Sequence, residues 1–383
     1  MCHIKRIFAV LFCLLIPVSL AAGSEEPSSQ AETLSLLEFN REVMEYYPSL
    51  KGQDANIGIA IARQLQAFSG ILPSVKAGAT WMISDDPVYV FGSLLRQHDF
   101  TSDDFSLSRL NTPRHRTNYN FSINAQWMLF DAFQTVMRVR ASVLGKEAAV
   151  LEKKFAEEET RFLASGAYLS ALAVDRNLEA LNDIIRESEK DIKEAEDLKE
   201  KGLILGADFY LAKMIYGNLK MMRTKLEKEK TTARILMNIM AGAWYDRPLN
   251  LSGTLPETYN EPAALSEIID EALKNRPDLV AMDMNVQAQK AELSSEKLSF
   301  LPKVAGFGGV QENSNDLLSG GASYEVGVKT ELDVFDPSYS GRVKEQKEKL
   351  RKLKRAKESL KDRISSDIVK EYYGYYSVVD SRS

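Results

Sequence analysis

The chain has 383 residues, 44% hydrophobic and 27% charged, with a formal net charge of −5. No basic excess invites nucleic acid. Its two cysteines, Cys2 and Cys13, lie in the first 23 residues, so disulfide and thiol chemistry are excluded from the mature chain.

Met1 to Gly23 sets Lys5 and Arg6 before an apolar run from Ile7 to Leu20 and ends on the small-residue site Ser19-Leu20-Ala21. Residues 1–23 therefore read as a signal peptide. The run is short and contains Pro17, unlike a spanning helix. Cys13 follows the bulky Phe12 and is a poor lipidation site. Loss of Lys5 and Arg6 moves the charge to about −7.

From Glu32 to Ile71, Leu37, Val43, Ile57, Ile61 and Leu65 fall at helical spacing, with Pro48 opening a second helix. The period then changes to two. Val75, Ala77, Ala79, Trp81 and Ile83 alternate with Lys76, Gly78, Thr80, Met82 and Ser84, which predicts a strand at about 74–84. Ser84 to Arg116 has no sustained period and reads as a long loop. A second strand at 118–130 sets Tyr119, Phe121, Ile123, Ala125 and Trp127 against Asn118, Asn120, Ser122, Asn124 and Gln126. Each strand has one apolar and one polar face.

From Asp131 to about Lys201 the pattern is one sustained helix, about 100 Å long at 1.5 Å per residue. Its stripe is Ala148, Leu151, Phe155, Phe162, Leu169 and Leu172, reset near Val174 to Leu178, Leu181, Ile185, Ile192 and Ala195. Gly202 and Gly206 bracket Leu203-Ile204-Leu205 in a tight turn. The return helix keeps a heptad in Ala212, Leu219, Leu226, Ala233 and Met240. Residues 131–242 thus predict a long antiparallel hairpin closing a first repeat, 24–242.

After a linker at 243–262 the sequence starts over. Pro277 answers Pro48 and Pro302 answers Pro73, both at an offset of 229, which points to internal duplication. In this second repeat, 263–383, Tyr324, Val326, Val328, Thr330 and Leu332 alternate with Ser323, Glu325, Gly327, Lys329, Glu331 and Asp333. The strand ends at Val334-Phe335-Asp336 as the first copy ends at Leu129-Phe130-Asp131. The partner strand from Lys303 to Gln311 is Gly-rich and is assigned from the repeat. A Lys- and Arg-rich helix follows from Tyr339, and aligned on the Phe-Asp pairs the chain stops about 24 residues before the position of the second hairpin tip.

Strands of about ten residues suit a tilted crossing of hydrocarbon, with Trp81, Tyr119 and Trp127 at the membrane interfaces. Four strands cannot close a barrel, and an open edge cannot face lipid. The chain must therefore assemble with itself. Two copies would give eight strands and a filled interior; three would give twelve and a lumen, which the polar faces favour.

The twofold repeat, the Leu-Pro landmarks, the two Phe-Asp pairs and Lys201-Gly202-Leu203-Ile204 at a helical tip resemble the TolC family of outer-membrane efflux proteins over about Leu34 to Ser383. That resemblance implies a mainly α chain with long antiparallel helical hairpins forming an α-barrel. It implies four strands per chain contributed to a trimeric, 12-stranded transmembrane β-barrel. It also implies an outer-membrane location with a periplasmic extension, and a passive exit duct in tripartite efflux or type I secretion. The partners implied are a periplasmic adaptor of the membrane fusion type and an inner-membrane pump that supplies the energy. By position, the tip Gly202, Leu203, Ile204, Leu205, Gly206 and Asp208 becomes the adaptor-docking turn. The lumen-facing set becomes Asn118, Asn120, Ser122, Asn124, Gln126, Glu325, Lys329, Glu331 and Asp333. The charged members either bias ion passage or pair with one another.

No catalytic, cofactor or metal site is expected. His98 and His115, among Asp85, Asp86, Asp99, Asp103 and Asp104, lack ligand spacing and read as a solvated loop. No Ser-His-Asp order or phosphate-binding Gly loop appears. Glu157 to Glu159 and Lys344 to Lys357 are charge blocks on helices. The rival readings are a periplasmic coiled-coil adaptor or scaffold, a secreted enzyme, and a truncated channel without function. Duplication speaks against the adaptor, and the missing catalytic constellation against the enzyme.

Overall fold

A computed structural model describes residues 32–255, 261–317 and 320–380. The expected signal peptide, residues 256–260 of the linker and the last three residues lie outside the described residues. In chain order the elements are β1 (Glu32–Leu34), α1 (Leu36–Tyr46), α2 (Pro48–Ser69), β2 (Ser74–Ser84), α3 (Pro87–Arg96), α4 (Leu107–Asn111), β3 (Arg116–Phe130) and α5 (Gln134–Glu200). They continue with α6 (Gly206–Ala241), β4 (Leu249–Leu251), α7 (Leu265–Asn275), α8 (Pro277–Lys297), β5 (Lys303–Ser314), β6 (Gly320–Glu331) and α9 (Tyr339–Asp380). Among the described residues no helix is long and apolar enough to cross a membrane.

The duplication is visible element by element. Leu36 and Leu265, Pro48 and Pro277, and Ser74 and Lys303 each begin matching elements 229 residues apart. Between β3 and α9 the offset shrinks, because β2 and β3 are joined by a long segment and β5 and β6 by a short one.

The chain forms two compact units, 32–42 with 164–255, and 43–163 with 261–380. The second unit holds a four-stranded antiparallel sheet in the order β2-β3-β5-β6. Among the described residues both outer strands, β2 and β6, have a free edge. In the same unit α8 packs against α9; α8 carries the buried Leu279, Ala281, Val286 and Ala291, and α9 contributes the buried Ile364. Lys357 Nζ meets Asp283 Oδ1 at 2.5 Å, and this ammonium holds the carboxyl below its ordinary range.

The first unit is built around Tyr168 of α5, 1% exposed, whose ring lies 6.1 Å from that of the fully buried Phe39. Its hydroxyl lies 2.8 Å from Leu34 O and 2.5 Å from Ser252 O. It thereby fixes the parallel β1 and β4 pair. Arg234 pairs with Asp175 and donates from Nε to Leu249 O at 2.9 Å.

Several sequence expectations need correction. Ser84 to Arg116 is not a plain loop but contains α3, a 3₁₀ turn and α4. Asp86 caps α3 by accepting from Tyr89 N at 2.7 Å, and Pro87 supplies a preset first turn; ten residues are too few for a sustained period. Glu32–Leu34 and Leu249–Leu251 are strands of three residues, too short to show alternation. The long helix starts at Gln134, because Ala132 and Phe133 adopt φ of +54° and +65° and turn the chain out of β3. Phe162 is 78% exposed, and Ala164 and Tyr168 take the buried positions there. Strand β6 ends at Glu331, paired with Lys303. Pro302 precedes Lys303 and has no N–H to extend the ladder, so Leu332 to Phe335 lie outside the sheet.

The two Phe-Asp pairs share one physical purpose. Asp131 Oδ2 accepts from Thr135 N at 2.7 Å and faces Arg138, 3.6 Å away. Asp336 Oδ1 accepts from Ser338 N at 2.8 Å and Ser338 Oγ at 2.6 Å, and Arg342 Nη1 lies 2.8 Å from Oδ2. Each carboxylate satisfies the start of the following helix. The Ser338 hydrogen bonds and the Arg342 guanidinium push the Asp336 carboxyl from its ordinary 3.8 to about 2. A depressed carboxylate contributes fully above its unfolded value and loses that contribution as pH falls through the folded one. Amide protection at the start of α9, meaning the exchange rate relative to the intrinsic rate at each pH, should thus fall as the pH drops from about 4 to about 2. Asp336→Asn should show the lower protection already at neutral pH; equal protection in the two proteins would contradict this.

Candidate functional site

The sheet register sorts the side chains onto two faces. Asn120 pairs with Thr80 and Asn313, Ser122 with Gly78 and Gln311, and Asn124 with Lys76 and Gly309; Gln311 and Gly309 pair in turn with Ser323 and Glu325. Paired residues in an antiparallel ladder share a face. The expected polar residues of β3 and of β6 thus lie on one side of one sheet, which spacing within single strands does not reveal. Lys329 and Glu331 lie on that side too and form an ion pair at 3.0 Å. Asp333 lies beyond the end of β6, for the reason given above.

The opposite face carries Trp81, Tyr119, Phe121, Ile123, Val310, Tyr324 and Val326. Among the described residues this face is left largely open: Tyr324 is 82% and Val326 81% exposed. Trp81 pairs with Tyr119 at the end bearing the 85–115 segment, while Trp127 stands at the other end, its Nε1 donating to Ile71 O at 2.7 Å. The charged exception on this face is Glu312, which pairs with Phe121 two residues from the end of β5. The glycines of β5 and β6 explain the weak alternation there. A Cβ on Gly327 would stand 2.7 Å from Cζ of Phe307, so the glycine makes room for that ring on the polar side.

Asn118 is correctly placed on the polar face but is 5% exposed, because α3 covers it. Gln97, just past α3 and also 5% exposed, donates from Nε2 to Thr117 O and to Asn118 Oδ1, each at 2.9 Å. Asn118 Nδ2 and Asn120 Nδ2 both donate to Asn313 Oδ1, at 3.0 and 3.1 Å. Sequence reasoning missed Gln97 and Asn313. The one local signal was Asp86-Pro87, an N-cap followed by a first-turn proline.

The helical tip belongs to the other unit. Gly202 has φ of +71°, its N–H donates to Lys199 O at 2.9 Å, and Leu203 N donates to Leu198 O at 2.8 Å. These bonds satisfy the last carbonyls of α5 in a Schellman motif. Gly206 is different. It opens α6 without a left-handed conformation, and a Cβ there would meet nothing within 4 Å, so only the first glycine is required by the turn. Leu203 and Leu205 are 69% and 72% exposed, Ile204 is half-buried and Asp208 is exposed. Phe209 is buried beneath the ammonium of Lys199, 4.5 Å from its ring centre. The heptad Ala212, Leu219, Leu226, Ala233 and Met240 is the half-buried stripe of α6.

Known structures share this arrangement. The outer membrane protein VceC of Vibrio cholerae matches with a TM-score of 0.70 and 16% identity, over 91% of this chain and 78% of that one. The fold is TolC-like. The outer-membrane channel OprN matches with a TM-score of 0.71 and 15% identity, over 91% of this chain and 74% of that one. The open state of the MtrE outer membrane channel of Neisseria gonorrhoeae matches with a TM-score of 0.61 and 17% identity, over 87% and 70%. No protein-family model and no curated protein sequence matches the chain. At such identities the likeness is one of fold.

Proposed function

We propose that the chain is the outer-membrane channel subunit of a tripartite efflux or type I secretion system. The observation that carries this reading is the four-stranded sheet with one bare apolar face, one polar face and two open edges. About half of the N–H and C=O groups of an edge strand point outward, and each costs several kcal/mol if left unpaired in hydrocarbon. Pairing β6 of one copy with β2 of the next removes both edges. Three copies give twelve strands, enough for a lumen lined by the polar face. The two repeats, 24–242 and 263–383, each supply one strand pair. The signal peptide delivers the chain to the periplasm, and transport through the duct is passive. Native protein extracted from outer membranes should run as a heat-modifiable trimer and conduct ions in a planar bilayer. A monomer released by buffer alone would favour the scaffold reading.

The same proposal makes Gly202 to Asp208 the docking turn for a periplasmic adaptor, which couples the duct to its pump. Leu203 and Leu205 support this, since they are apolar and largely exposed at a turn whose backbone is already satisfied. Replacing both by Asp removes two apolar anchors, each worth about 2 kcal/mol at a typical interface hot spot. Pump-driven export should fall by about tenfold or more, with the bilayer conductance unchanged. Unchanged export would show that the adaptor docks elsewhere.

A further inference from the structure

Helix α3 is seated on the polar face of the sheet, at the end where β2 and β3 are joined. Its C-terminal end is held there by Gln97 on Asn118. The carbonyl of Arg96 also comes so close to Gly321 that no side chain fits between them. Gly321 pairs with Asn313 and lies on the same polar side. The face of α3 toward the sheet carries Val90, Ser93 and Gln97, all buried. One half-turn around the helix are Val88, 80% exposed, and Leu95, 48% exposed, with Gly92 between them and open space where its Cβ would stand. An amphipathic helix that turns apolar residues away from its support has no partner for them among the described residues.

We propose that this partner is the α3 of neighbouring copies, and that Val88 and Leu95 of the assembled chains form an apolar constriction across the mouth of the channel. The inference rests on the barrel reading, because closure with the polar face inward turns every α3 toward the axis. The dimensions agree. Strands about 4.8 Å apart and tilted about 40° give a twelve-stranded barrel a backbone diameter of about 24 Å. Three helices of about 10 Å each nearly fill that circle. The Gly92 position lets them approach. Such a ring admits water poorly and limits ion flow until the helices separate.

The described residues contain no cysteine, so single-cysteine chemistry is clean. In outer membranes, Val88→Cys should be joined between copies by a short bismaleimide, whereas a cysteine at the exposed Ser323 should not. In planar bilayers, Val88→Ser with Leu95→Ser should raise single-channel conductance about twofold or more, as expected for a wetted constriction. Gln97→Ala, which frees the C-terminal end of α3, should give an increase of the same sign. An intact membrane oligomer with no cross-link at position 88 and unchanged conductance overturns the constriction and leaves the barrel standing. Failure of the unmodified protein to form any membrane oligomer removes the barrel reading, and the constriction with it.

Discussion

Ile123→Arg is expected to abolish the heat-resistant membrane oligomer, while Asn124→Arg, one residue on, should assemble normally. The two residues are neighbours in the middle of β3 and point to opposite faces. Ile123 pairs with Ala77 and Val310 on the bare apolar side; Asn124 pairs with Lys76 and Gly309 on the polar side. An arginine facing lipid near mid-bilayer costs about 2–4 kcal/mol per chain, and assembly multiplies that over all copies. An arginine facing an aqueous lumen keeps its hydration. Beside Lys76 it adds positive charge and should shift ion selectivity toward anions, read as a change in reversal potential across a salt gradient. Equal tolerance of both substitutions would contradict a lipid-facing sheet. The reverse pattern would mean that the sheet closes inside out.

The second large effect is expected at Tyr168, in the other unit. The ring is 1% exposed against Phe39, and the hydroxyl is set between the carbonyls of Leu34 and Ser252. Truncating a buried aromatic residue to Ala costs about 3–5 kcal/mol. Tyr168→Ala should therefore detach the β1 and β4 pair, seen as rapid amide exchange at 32–34 and 249–251. Tyr168→Phe keeps the ring and loses the hydrogen bond, at a cost of about 1 kcal/mol. Protease sensitivity near Ser252 should follow the order Ala, Phe, wild type. A Phe variant as damaging as Ala would place the importance of Tyr168 in its hydroxyl.

The tip illustrates where local and tertiary information part. Two glycines around an apolar triplet read as a symmetrical turn, yet only Gly202 needs its positive φ, while Gly206 is the first residue of a helix without strain. Likewise the Phe-Asp pairs looked like matching ends of strands. Their carboxylates do match as helix starts, but Phe130 lies in a strand and Phe335 does not.

The sequence by itself determined the strands and helices whose periods run over ten or more residues, the 229-residue duplication and the turn at Gly202. These depend on spacing along one chain, which each residue carries regardless of distant partners. Only the tertiary structure decided that the polar residues of β3 and β6 share a face, that Asn118 is covered by α3, and that β6 stops at Glu331 opposite Lys303. It also decided that three residues at Glu32 pair with three at Leu249. Those outcomes are set by cross-strand register and by contacts between segments far apart in sequence. A short helix or strand has too few residues to announce itself by period, and which neighbour satisfies its polar groups is fixed only when the sheet assembles.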